Sequence, residues 1–124
     1  MANELLELVI EGKKRATGAS LWSVEDEGKR PPIPGDLSIV TNWAGEPMCI
    51  IETTDVDIVA FRDVTDDFAA AEGEGDGSLE YWRECHRDYF TRECDKSGRE
   101  FSEDMLVVCE RFRVVDKKRG KGGK

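Results

Sequence analysis

Two short stretches of the sequence hold side chains whose types and spacing suit chemistry. The first is Gly12-Lys13-Lys14-Arg15-Ala16-Thr17, which sets an amine and a hydroxyl three positions apart. An extended backbone would point Lys14 and Thr17 to opposite faces, whereas a helical turn would bring them to one side, so a shared site requires that turn. A Lys14 partly withdrawn from water, with Lys13 and Arg15 as cationic neighbours, would give up its proton more readily. It could then take a proton from Thr17 and make the hydroxyl a nucleophile toward an amide carbonyl, or polarise that carbonyl directly.

The second stretch is Glu72-Gly73-Glu74-Gly75-Asp76-Gly77. Its glycines let the backbone turn tightly and approach a ligand, and an extended segment would face Glu72 and Glu74 the same way. Mutual repulsion, with Asp76 close by, would keep one of them protonated near neutral pH and able to protonate a leaving amine. Amine, hydroxyl and acid together are coherent as metal-independent hydrolysis. The plainer readings are a solvated KKR run that favours a helix dipole, and an acidic loop.

Other chemistry-bearing residues each have two readings. Arg83 can reach a phosphate or pair with the abundant carboxylates. Trp22 and Trp43 can stack on bases, at roughly 1 to 3 kcal/mol per base, or be buried as aromatics usually are. His86 follows Trp82 by four positions on an apolar helix face, where a histidine typically packs and hydrogen-bonds within the core. The four cysteines, Cys49, Cys85, Cys94 and Cys109, form no C-x-x-C pair and share the chain with one histidine, so a tetrahedral zinc site is not expected, nor any cofactor. Cys85 and Cys94 on one helix would stand roughly 13 Å apart, beyond disulfide reach, and buried, reduced thiols are the expectation.

Local patterns supply the elements that must position these groups. Leu5, Leu6, Val9 and Ile10 recur at helical spacing, and Gly12 stops the helix just before Lys14. Residues 18–23 read as extended or irregular, and residues 24–30 as a polar turn or short helix. Pro31-Pro32-Ile33-Pro34-Gly35-Asp36 is a rigid connector into a strand at 37–41. A turn around Asn42 leads to β-rich runs at 48–54 and 56–61. Thr65-Asp66-Asp67 begins a short helix that the glycine-punctuated turn ends, and Ser78 caps a longer helix to about Glu93. A strand over 105–115 closes the chain. These elements predict an α+β domain whose few strands curl toward a small barrel with flanking helices.

The 124 residues have room for one core, placed at 1–115. No apolar run approaches the roughly 20 residues of a membrane span, and the acid-interrupted start is unlike a secretory signal, so a cytoplasmic protein without membrane contact is expected. The net charge is -9, with 13 Lys+Arg against 26 Asp+Glu over 1–115 and five positives against one negative over 116–124. An acidic body with a basic, disordered tail is a poor start for bulk nucleic-acid binding, which draws on neutralised phosphates.

Gly12-Lys13-Lys14-Arg15-Ala16-Thr17 fits the G-x-K-x-x-T motif of the ASCH domain, a family of the PUA-like superfamily of small barrels, and it follows the first helix as it does there. Pro34-Gly35-Asp36 before LSIVTN, and EGEGDGSLEYWRECHRDYF at 72–90, resemble further stretches of a bacterial ASCH subfamily. The resemblance implies a barrel with the motif loop in its cleft and a partner that is RNA or a modified nucleoside. Some members are amidohydrolases of N4-acetylcytidine, others cleave single-stranded RNA, and others are RNA-binding or adaptor modules. Carried over by motif, the amidohydrolase residues are Lys14, Thr17 and a glutamate, Glu74 with Glu72 as rival; Arg15, Glu72, Arg83, Trp22 and Trp43 are the substrate-binding candidates. An acylated pyrimidine nucleoside suits the acidic body better than a polyanion does.

Overall fold

The structure, a computed structural model, describes residues 3–42 and 44–117, and side chains from Glu7 onward. Helix α1 (Asn3–Ile10) ends at Gly12, whose φ of 81° is the left-handed conformation that closes helices. Strand β1 (Ala16–Ser20) then runs into α2 (Leu21–Asp26), where the Ser20 hydroxyl accepts from the Ser23 N–H as an N-cap. Residues 18–23 are therefore split between a strand and a helix. Strand β2 (Leu37–Thr41) follows the proline connector as expected.

The two β-rich runs merge into one strand, β3 (Pro47–Ala60), because β-bulges between Ile50 and Ile51 and between Thr53 and Asp55 bend it without ending it. Helix α3 (Asp66–Glu72) starts at Thr65, whose hydroxyl accepts from the Phe68 N–H, with Asp66 and Asp67 at the positive end of the dipole. Helix α4 (Leu79–Ser97) is capped by Ser78 and runs one turn past the expected end, to a left-handed Gly98. Strand β4 (Leu106–Lys117) takes in Asp116 and Lys117, so the first two residues expected in a tail continue the sheet. The rest of that tail lies outside the described residues, as does Trp43.

The four strands form one antiparallel sheet in the order β1-β4-β3-β2, curled into a half-barrel, the α+β architecture expected. Alternation along the strands divides the core into two clusters. On one side Val107 and Cys109 pack under Phe61 from the short turn after β3, Phe68 of α3, and Trp82 and Phe90 of α4. On the other Phe112, Ile51, Cys49 and Val40 pack under Val9 of α1. Phe61 contacts Trp82 and Phe90 with centroids 5.4 and 6.2 Å apart, which fastens α4 to the end of β3. Among the described residues no helix is long and apolar enough to cross a membrane.

All four cysteines are free, and three are buried as expected, but Cys85 is exposed because it lies on the solvent side of α4. Burial pushes the Cys49 and Cys94 thiols above their ordinary range, and burial with the nearby Glu72 charge pushes Cys109 up to about 12. Labelling of the native protein at pH about 8 should therefore modify one thiol rapidly, and Cys85→Ser should abolish that fast phase. Fast labelling of two or more thiols would contradict this packing. Phe90, fully buried, should cost about 3 to 5 kcal/mol on replacement by alanine, measured by urea denaturation; a loss below about 1 kcal/mol would mean it is not a core residue.

Candidate functional site

The segment between α1 and β1 is pinned by backbone hydrogen bonds before any side chain is considered. The N–H groups of Lys13 and Lys14 both donate to the Leu8 carbonyl, at 2.9 and 3.0 Å, and the Arg15 N–H donates to the Ala71 carbonyl of α3 at 2.6 Å. Arg15 O in turn accepts from the Phe112 N–H of β4 at 3.0 Å. The loop is thus fixed to helix, sheet and α3 at once. Gly73, in the left-handed region at φ 69°, ends α3 against it: a Cβ there would lie 2.1 Å from the Lys13 carbonyl oxygen, so only glycine lets the two chains come this close.

That approach delivers Lys14 to two carboxylates. Its Nζ donates to Glu72 Oε1 at 3.1 Å and to Glu74 Oε2 at 2.7 Å. Lys14 and Glu72 are almost fully buried, with side chains 3% exposed, whereas the Glu74 side chain is 32% exposed. The second oxygen of Glu72 accepts from the Trp82 indole N–H at 2.9 Å. Both oxygens of the buried carboxylate therefore have donors, which its removal from water demands. Gly18 of β1 makes room for them, since a Cβ there would stand 3.2 Å from Glu72 Oε2.

His86 stacks on Trp82 at 4.1 Å with planes 15° apart, and its Nδ1 lies 2.9 Å from the Trp82 carbonyl oxygen. This is the core role read from the sequence, with one addition: Nε2 faces Glu72 Oε2 at 3.6 Å. The space among Glu72, Glu74, Tyr81, Trp82, Cys85 and His86 is a cavity of about 10 Å³, the size of one water at most. Glu74 and the half-exposed Tyr81 form its outer side. The Tyr81 phenol is raised above its ordinary range, first by its hydrogen bond with Cys85 and then by the charges nearby, which include Glu74.

The structure brings together Lys14, Glu72 and Glu74, and it does so without the expected turn. Helix α1 stops at Gly12, and Thr17 is the second residue of β1, paired with Glu110. Ala16 lies in the core cluster on the helix side and Gly18 faces Glu72, so pleat alternation sets Thr17 on the opposite face of the strand. The expected cationic neighbours are also absent from the site: Lys13 and Arg15 are exposed, and Lys13 pairs with Glu11 at 3.5 Å. The carboxylate pair does converge, but with the ammonium between its members in place of bare repulsion.

The remaining candidates lie elsewhere. Trp22 packs beside α4 under the Arg99 guanidinium, 5.1 Å from the ring centroid, so one face is already covered. Arg83 donates to the Arg62 carbonyl at 3.2 Å and leaves its Nε buried without a partner. Sequence reasoning missed that Trp82 and His86 serve Glu72. The available signal was their spacing of four, which puts both on the helix face that meets α3.

A curled antiparallel half-barrel with flanking helices is a PUA-like architecture, a class often linked to RNA. The ASCH domain family model matches residues 1–116, and the chain belongs to that family. It is similar to an ASCH domain crystal structure from Lactobacillus crispatus, with 47% identity and a TM-score of 0.85 over 92% of this chain and 72% of that one. A protein structure from Enterococcus faecalis is similar at 36% identity and TM-score 0.84, over 98% of this chain and 72% of the other. No curated protein matches.

Replacing Lys14 by methionine would strand a buried carboxylate, so Lys14→Met should lose about 3 to 5 kcal/mol in urea denaturation. Adding Glu72→Gln should return at least half of that loss, because the amide removes the uncompensated charge. Equal stability of single and double variants would mean that the ion pair is not the constraint.

Proposed function

We propose that this ASCH domain is a metal-independent hydrolase of an acylated pyrimidine nucleoside, of the N4-acetylcytidine type, with Lys14 and Glu74 as its reacting groups. The observation that supports it is the ammonium held between one buried and one accessible carboxylate. Glu72 is fixed by Trp82 and cannot leave; Glu74, on its glycine-flanked turn, can be displaced by a substrate carbonyl. Displacement of Glu74 frees for that oxygen the N–H that the carboxylate now holds.

In this reading Glu74 takes a proton from a water molecule, and the water oxygen bonds to the acyl carbon. The Lys14 ammonium stabilises the negative charge that develops on the carbonyl oxygen. The C–N bond then breaks, and Glu74 passes its proton to the departing amine, leaving a free carboxylic acid and an unmodified nucleoside. Thr17 as nucleophile, the role implied by motif, requires a displacement that brings it around β1; water requires none.

The electrostatics favour a small neutral substrate. Several cations that would line an RNA groove are already engaged: Lys13 with Glu11, Lys14 with Glu72 and Glu74, and Arg87 with Glu103 at 2.9 Å while lying over Phe61 and Phe101. A polyanion would have to compete with each acid and approach a body of net negative charge, whereas a nucleoside does neither.

Incubation with N4-acetylcytidine, followed by chromatography, should show deacetylation. Lys14→Met should reduce kcat/KM by about 10² to 10³, as loss of an oxyanion donor does, and Glu74→Gln by about 10² to 10⁴. Thr17→Val should retain activity within about tenfold. A labelled RNA strand incubated in parallel should remain intact; cleavage that depends on Lys14 would replace this reading with a ribonuclease, and binding of RNA with neither reaction would leave an RNA-binding module.

A further inference from the structure

His86 reaches the buried carboxylate from its indole side. The Trp82 carbonyl oxygen has no proton to give, so the 2.9 Å contact requires the proton to sit on Nδ1. The other nitrogen, Nε2, then points at Glu72 Oε2, 3.6 Å away, the oxygen that already holds the Trp82 indole N–H. Stacking on Trp82 and the tilted contact with Phe90, centroids 5.6 Å apart, fix the ring in this orientation. The titratable groups around it are Glu72 from α3, Glu74 from the turn, Lys14 through those carboxylates, Tyr81 and Cys85 from α4, and Cys109 from β4 behind Glu72.

We infer that His86 is a positioning residue for the Lys14 ammonium, acting through Glu72. With a proton on Nε2 the 3.6 Å approach is an ion-pair contact, longer than a hydrogen bond, that draws Oε2 from a second direction while Oε1 is held where Lys14 meets it. The cluster then contains two cations and two carboxylates. Without the anchor, the terminal torsion of Glu72 is restrained on one side by the indole alone, and the ammonium follows the carboxylate. The catalytic consequence rests on the function proposed above; the positional one does not.

His86→Phe keeps a ring for Trp82 to stack on and removes both nitrogens, whereas His86→Gln keeps an amide N–H for Glu72. Both are tested in the full chain by the 15N resonance of the Lys14 ammonium, assigned by its loss in Lys14→Met. The resonance should move in His86→Phe and return toward its wild-type position in His86→Gln. An unmoved resonance in His86→Phe, or equal displacement in both variants, overturns the inference. In deacetylation, His86→Phe should lower kcat about tenfold with KM within about twofold, and His86→Gln should recover most of the loss; unchanged kcat in His86→Phe, with wild type active, overturns the inference.

Absence of deacetylation in the wild type removes the proposed function, and the Lys14 resonance still decides the positioning role. Should His86→Phe fail to fold, the single histidine of the chain gives a second reading. Its Nε2 resonance should shift in the isosteric Glu72→Gln, and an unshifted signal overturns the contact.

Discussion

The interaction on which this domain depends is the pairing of Lys14 with Glu72 in a place almost without water. Removing either ion from solvent costs several kcal/mol, and attraction alone offsets this only when the remaining hydrogen-bonding positions are also filled. That condition explains the surroundings. Glu72 has the Trp82 indole for its second oxygen, Lys14 has Glu74 as a second acceptor, and glycines stand where any side chain would separate the partners. A buried ion pair is a weak source of stability but a strict one of geometry, because each partner is costly wherever the other is missing.

The same pair couples parts of the fold that are distant in sequence. Lys14 and Glu72 are 58 positions apart, and the backbone bond from Arg15 to Ala71 runs beside their contact. The loop after α1, the end of α3 and the indole of α4 are consequently one unit, with β4 closing it through Phe112. The acidic turn beyond Gly73 carries Glu74, the most exposed of the three paired ions.

Charge distribution sets what such a site can accept. The body is acidic, and Arg87, Arg99 and Arg113 each pair with a carboxylate of the same chain, Glu103, Asp26 and Glu52.

Much of the local structure was legible in the sequence. Thr65 and Ser78 announced their helices, Gly12 announced the end of α1, and the proline connector announced β2, since caps, left-handed glycines and fixed φ angles are properties of a few adjacent residues. The two chemistry-bearing stretches also held the amine and the two acids that meet, with Glu72 and Glu74 read as rivals for one role and Thr17 as a third partner that the fold sets elsewhere. What it could not give was the meeting itself. Whether β3 was one strand or two depended on bulges set by pairing with β4, and the place of Thr17 depended on β1 joining the sheet at once. The charged neighbours of Lys14 were misjudged for the same reason: adjacency in the chain put Lys13 and Arg15 beside it, but the fold turned both outward and brought Glu72 and Glu74 in from 58 and 60 positions away. The sequence by itself determined which residues had chemistry to offer and which turns they stood on, because those are short-range properties. Only tertiary packing decided which charges face one another, because Coulomb interactions act through space and desolvation depends on everything that covers the pair.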